Sequence, residues 1–386
     1  MRSAFPALAA AAFVAGVNLR LFDALLPKVA DEFGVLPTSA SSVVTAFTLA
    51  YGLFQIVHGP LGDRLGKLRV IWAATLVAAA ASLGSALAPS LRVLAATRFA
   101  TGIGAAAIIP LALAWLGDNS EFKVRQAVIG RFVGFLLLGQ ALGPAFGGAL
   151  AQLFSWREVF FVLAAIFLLV ALALFGADRR TRAATAQRHG TGVLRDYVRV
   201  LGDPWVRTMM VTGFIEGALF FGVFTYAGAY LRERFALSYL AVGVIVACYA
   251  LGGVVYSLLV RWLLKKMSER WFVGLGAAVL LAFFAGLPLL PAWQAAPLVF
   301  LVAGFGFYLL HNTLQTRATE MAPEARGTGL SVFAFSLFTG QAAGVQLGAA
   351  GIRTVGYQWT FTGAGLLLLA MGFWFSGRLA FRTKEA

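Results

Sequence analysis

Charged side chains stand inside long apolar stretches of this sequence: Arg20, Asp23, Arg98 and Glu216, with Arg131 near the start of another. A charge held in the apolar middle of a membrane segment costs on the order of 3 kcal/mol or more, so each should face a wet cavity or meet a partner. Glu216 is the only acid in the apolar stretches of the second half, and no basic residue stands one turn away along its own helix. A carboxyl buried in this way is poised to load and release a proton. Asp23 lies three residues from Arg20, about 60° away around a helix, so the two share a face with Gly16 and Pro27. Asn18 and Gln55, with Thr45 and Thr48, and then Tyr308, His311, Asn312 and Gln315, recur at helical spacing and are expected to line a cavity. Phe220, Phe224 and Tyr226 follow Glu216, beside Phe221, and together with Arg20 and Gln341 they complete the expected substrate cavity. Its balanced charges leave the sign of a substrate open, while the aromatic rings suit an apolar or amphipathic body.

Enzyme chemistry finds no foothold. There is no phosphate-binding glycine loop, no close carboxylate pair within a span and no serine elbow; Gly102 and Gly104 lie within an apolar helix. With three His and one Cys, no metal cluster assembles, and Cys248 has no partner for an intramolecular disulfide.

The elements that must position these residues follow from composition. Sixty percent of the 386 residues are hydrophobic and only 12% charged, in blocks too long for a soluble core. In hydrocarbon only helices or closed barrels satisfy their own backbone, and these blocks do not alternate as barrel strands would. The sequence predicts an all-α membrane protein with twelve spans, near 5–27, 40–60, 70–88, 93–115, 128–151 and 157–176, then 206–230, 239–262, 271–290, 296–318, 327–350 and 357–378. The opening run, through Arg20 and Asp23, is read as a retained first span rather than a secretory signal.

Most Lys and Arg fall in loops on one side, which by the positive-inside tendency is cytoplasmic, with both termini there. The net charge of +15 thus reflects topology and anionic lipid rather than nucleic acid. Residues 177–204 form a basic linker carrying Arg179, Arg180, Arg182, Arg188, Arg195 and Arg199, between bundles at 1–176 and 205–386. Within it Val193, Leu194, Tyr197, Val198 and Leu201 share one face, which suits a helix lying at the membrane surface. A repeat supports the halving: a shift of 201 residues places Gly139-Gln140-Ala141 on Gly340-Gln341-Ala342, Gly143 on Gly344 and Gly147 on Gly348.

The stretch after the second span, Gly59-Pro60-Leu61-Gly62-Asp63-Arg64-Leu65-Gly66-Lys67-Leu68-Arg69, resembles the signature loop of the major facilitator superfamily. The resemblance implies a conformational latch made of Gly59, Asp63, Arg64, Gly66, Lys67 and Arg69, in which the glycines permit a tight turn and Asp63 meets a helix N-terminus or a basic side chain. Arg261 stands where the second-half counterpart of Asp63 would be. Two further stretches resemble the proton-coupled antiporter branch. One runs from Arg98 to Gly104, with Thr101 in place of the usual Gln, and implies that Arg98 pairs with the first span in proton coupling. The other is Gly139 through Gly148, in which Gly139, Gly143, Pro144, Gly147 and Gly148 hold the motif positions. The family's acid nine residues before the proline is here Asn18, ahead of Pro27.

The resemblance implies two pseudo-symmetric six-helix bundles in the cytoplasmic (inner) membrane, acting as a monomer, with no cofactor beyond a proton gradient. It implies export of a small organic molecule against protons, with Arg98 taking part in the coupling; the buried acids read from the sequence join it there, Glu216 as the group that loads and releases the proton and Asp23 as one held ionised beside Arg20. The alternatives are proton-linked uptake of an organic acid clamped by Arg20, and a sensor that kept the fold without transport.

Overall fold

The structure, a computed structural model, describes residues 4–181 and 193–385. Almost all of them are helical, and no strand occurs among them. Ten helices are long and apolar enough to cross a membrane alone, and a bent pair, Phe5–Arg20 and Phe22–Phe33, supplies an eleventh crossing. The stretch Gly327–Leu379 holds two crossings divided at Gly356, whose φ of 78° breaks the helix, so the count reaches twelve. The other spans are Ser42–Leu65, Lys67–Ala86, Leu91–Asn119, Phe122–Leu153, Trp156–Thr181, Pro204–Phe235, Tyr239–Lys266, Glu269–Leu289 and Ala296–Glu320. Several run past the apolar limits expected of them, because a helix once formed continues until a cap or a left-handed residue stops it.

Two spans are irregular where the charges sit. The first bends by 52° at Leu21. Pro27 lacks a backbone N–H and crowds the carbonyl of Asp23 four residues earlier, which loosens the helix there. The seventh passes from Pro204–Glu216 into a π-helical turn, Gly217–Gly222, directly after Glu216. Such turns insert a residue and re-aim the side chains that follow.

The same packing scheme occurs twice. The first span packs on the fifth, the second on the fourth, and the third on the fourth and sixth; the seventh packs on the eleventh, the eighth on the tenth, and the ninth on the tenth and twelfth. The correspondence reaches single atoms. A Cβ on Gly139 would strike the Phe13 carbonyl, and one on Gly340 would strike the Phe214 carbonyl, each partner also shifted by 201 residues. These glycines bring two backbones into direct contact, which is how helices associate where no water drives them together.

Replacing Gly139 or Gly340 by Ala should therefore cost about 1–3 kcal/mol of stability through overpacking. Thermal unfolding in detergent should show both variants lowered, with Gly130→Ala, which meets nothing within 4 Å, unchanged. Equal melting of all three would remove the close-contact argument.

Candidate functional site

An even number of crossings puts both chain ends and the linker on one face of the molecule, here called the terminal face. The two halves meet mainly away from it. The second span packs on the eleventh and the fifth on the eighth, whereas the fourth and tenth, which would meet if the terminal face closed, share no packing face. Gly52 lies against the backbone of Phe335 and Thr339, and Gln346 donates to Thr45 at 2.6 Å. At the far end, Tyr239 donates its hydroxyl to Asp31 at 2.6 Å while Arg232 approaches the same carboxylate at 3.3 Å and lies 3.9 Å over the Tyr239 ring. The seam is clasped at one end and parted at the other.

Four of the expected site residues converge at mid-depth on this seam. Arg20 and Asp23 pair at 3.4 Å across the bend of the first span, both buried. The guanidinium lies 4.3 Å over Phe221 and 5.7 Å from the rings of Phe224 and Tyr249, so a first-half cation rests on second-half aromatics. Tyr249 is within electrostatic reach of Arg20, Asp23 and Glu216 together. Glu216, expected to lack a partner, has one: both carboxylate oxygens face His311 Nδ1, at 3.0 and 3.1 Å, from the tenth span. The helical-neighbour reading missed it because the two residues are 95 apart. The signal available was scarcity: the apolar stretches expected to span in the second half hold one acid and one histidine.

The expected cavity is redistributed by the π turn. Phe220 and Phe224 are buried in an aromatic cluster with Tyr249, Phe284, Phe300 and Phe307, and Phe221 lies nearer than Phe224 to Arg20 at the seam. Tyr226 is likewise shut into a helix contact, donating to the Val345 carbonyl at 2.6 Å. Gln55 is buried beside Tyr51 and Gln341 against Gly217, while Tyr308 stacks near Tyr249 and Tyr256. Asn312 and Gln315 line a separate groove of about 470 Å³ with Tyr256, Ser257, Thr316 and Thr319, towards the terminal face.

Residues 8–345 match the Major Facilitator Superfamily. The chain belongs to that superfamily. It is 26% identical over 341 residues to the uncharacterized MFS-type transporter YceJ of Bacillus subtilis, covering 87% of this chain and 85% of that one. It is 28% identical to the puromycin resistance protein pur8 of Streptomyces alboniger, over 83% of this chain and 76% of that one. In fold it resembles a bacterial homolog of the human lysosomal transporter Spinster in an inward-facing, occupied conformation, with a TM-score of 0.75 and 17% identity over 97% and 96% of the two chains. It is a multi-pass membrane transporter of a family that is not enzymatic.

Arg98 is buried and meets the first span through an amide. Nη1 donates to the Asn18 amide oxygen at 2.5 Å, and the guanidinium is caged by Phe47, Phe22 and Phe160 at 4.1, 5.1 and 5.7 Å. Among the described residues no carboxylate pairs with it. Three ring faces and one amide thus offset the cost of its burial. The signature stretch is also not the loop expected. The second-span helix runs through Gly59 and Gly62 to Leu65, and only Gly66, with φ of 95°, breaks it before Lys67. Asp63 lies 3.5 Å from Lys67, which sits closer, 2.6 Å, to Asp118 at the end of the fourth span; Arg64 is exposed, and Arg69 Nε is buried without a partner. In the antiporter stretch, Gly139, Gly143 and Gly147 face the first span, while Gly148 and the Pro144 carbonyl meet Tyr239 and Gly243 across the seam. The linker helix Val193–Gly202 turns Tyr197 and Val200 to the protein and leaves Val198 and Leu201 exposed, where a membrane surface could meet them. Tyr197 donates to the Ile56 carbonyl, and Arg199 pairs with Glu324 at 2.8 Å. The side chains of Val193, Leu194 and Arg195, with Arg182 and Arg188, lie outside the described residues.

Asn18→Ala should cost about 1.5–3 kcal/mol, the value of a hydrogen bond to a charged group, whereas Asn18→Asp should be at least as stable as the parent at neutral pH. Denaturation of the purified variants checks this; an unaffected Asn18→Ala would show that the aromatic cage alone holds Arg98.

Proposed function

We propose that this chain exports a small apolar or amphipathic organic molecule in exchange for protons, as a monomer in the cytoplasmic membrane. Its termini face the cytoplasm, and the proton gradient supplies the energy. The observation that carries the reading is the buried cluster of Asp23, Arg20 and Glu216, laid across the seam along which the halves must move. With the terminal face cytoplasmic, the arrangement is inward-facing. Rocking one bundle against the other would carry Arg20 and Asp23 relative to Phe221, Tyr249 and Glu216, and a proton gained or lost there would bias which face is open. Similarity to a puromycin resistance protein supports outward transport of a small organic compound, and aromatic rings at the seam suit an apolar or amphipathic body.

Protonation chemistry falls to the two carboxylates. Arg98, held by the neutral Asn18 amide, serves in this reading as a fixed charge that sets the local field around the first span. A second reading has one observation in its favour: Arg20 Nη2 is buried without a partner. A donor so placed would clamp an organic acid taken up with protons. Direction of flux separates the two, and the absence of counterflow would mark a sensor.

The test uses protein reconstituted in liposomes, with puromycin and ethidium as probes and an imposed pH gradient. The native chain should move a probe against protons, and Glu216→Gln should insert normally yet lose gradient-driven flux. Flux at the native level in Glu216→Gln would remove the proton-coupled reading.

A further inference from the structure

We infer that His311 is the side chain through which protons reach Glu216, and that the groove between the eighth and tenth spans, with its wall of Asn312, Gln315, Thr316 and Thr319, is their entrance from the terminal face. The inference rests on the proton-coupled reading of Glu216 and adds to it a relay and a path.

Glu216 has no exposed surface, whereas the His311 side chain keeps 14%. A proton arriving from water therefore meets the imidazole first. Rings flank the imidazole: Phe307 stacks on it at 4.8 Å, Phe221 stands edge-on at 6.4 Å, and Phe220 packs against both phenylalanines. When Glu216 is ionised it can only accept, so in that state Nδ1 carries the hydrogen of this contact and Nε2 is the acceptor left on a neutral ring. Transfer balances simply. Water gives a proton to Nε2 as Nδ1 passes its own to a Glu216 oxygen, leaving a neutral imidazole in the other tautomer, a carboxylic acid and a hydroxide neutralised by bulk buffer. Release runs the same steps backwards.

The path is the second element. His311 does not itself line the groove, but Asn312, next to it in sequence, does; Gln315 stands one turn further along the tenth span, and Thr316 and Thr319 continue the same wall towards the terminal face, opposite Tyr256, Ser257 and Val260. Amide and hydroxyl groups at this spacing hold water where an apolar wall would not. A groove of about 470 Å³ has room for a file of it. The charged and titratable groups around His311 are few. They are Glu216 from the seventh span, Tyr249 and Tyr256 from the eighth, Arg20 and Asp23 from the first, Tyr308 beside it, and the Glu269–Arg317 pair, 2.6 Å apart, where the ninth span meets the tenth. None but His311 touches Glu216 in the described hydrogen bonds and ion pairs. The π turn that begins at Gly217 gives the seventh span a soft point beside the carboxyl, so a change in its charge has a flexible element to act on.

The test compares His311→Gln, which keeps a hydrogen-bonding group and cannot relay a proton, with Glu216→Gln in the same liposomes. Ethidium is the probe, and both gradient-driven flux and counterflow at equal pH are read. The inference expects both variants to lose gradient-driven flux at least about tenfold while counterflow persists, because exchange moves no net proton. It also expects His311→Gln to flatten the pH profile of the flux that remains. A third variant, Thr316→Val, alters the groove without touching the dyad and should slow gradient-driven flux severalfold. Native gradient-driven flux in His311→Gln, with Glu216→Gln inactive, overturns the relay and leaves the proton-coupled reading standing. Native flux in Glu216→Gln overturns both. Loss of flux and counterflow together in His311→Gln assigns the residue to the fold and also overturns the relay, and an unaffected Thr316→Val overturns the path.

Discussion

The Arg20 guanidinium, lying on Phe221 with Asp23 at its side, is the constraint around which the rest of the molecule is arranged. A cation at this depth cannot stand alone in hydrocarbon, and its own half supplies only one carboxylate to meet it. The remaining stabilisation comes from the other half, through ring faces whose negative quadrupoles accept a cation without fixing it by a directional bond. A contact of that kind holds two bundles in register and still permits them to turn. A second carboxylate, Glu216, lies just beyond the same rings with His311 against it, so charge on one side of the aromatic layer is felt on the other.

The duplicated architecture explains why the charges gather at that place. Gly16 packs under the Leu136 carbonyl and Gly217 under the Leu337 carbonyl, equivalent contacts in the two halves, and each sits close to a charged residue of its span. Backbone-to-backbone packing makes each half rigid, which leaves the seam as the place where movement is cheapest. Its far end is closed by exposed polar pairs such as Tyr239 and Asp31, each worth about 1 kcal/mol or less. Such a clasp orders the closed face without making it permanent.

Fold and site were legible to different depths. Apolar blocks and turn residues placed the twelve crossings, since the bilayer imposes a length that sequence records directly. The repeat at one offset was equally plain, because glycines in direct backbone contact tolerate no substitute. Side-chain partnerships were not. Nothing local to Glu216 points to His311, and nothing before Gly217 announces a π turn that would put Phe221 nearer than Phe224 to Arg20 at the seam. Asn18, which looked like a missing acid, proved to be the acceptor for Arg98. The signature stretch looked like a loop because its glycines favour turns, yet three apolar turns before it carry the helix through Gly62.

The central claim is that proton occupancy at the seam decides which face of the molecule is open. Pulsed electron-resonance distances test it most directly, with spin labels at Asn119 and Thr319 on the terminal face and at Leu153 and Leu240 on the opposite one, in a chain lacking Cys248. The account predicts two distance populations for each pair, moving in opposite senses as pH is changed. A single distance for each pair at every pH, with the terminal face open throughout, would contradict it.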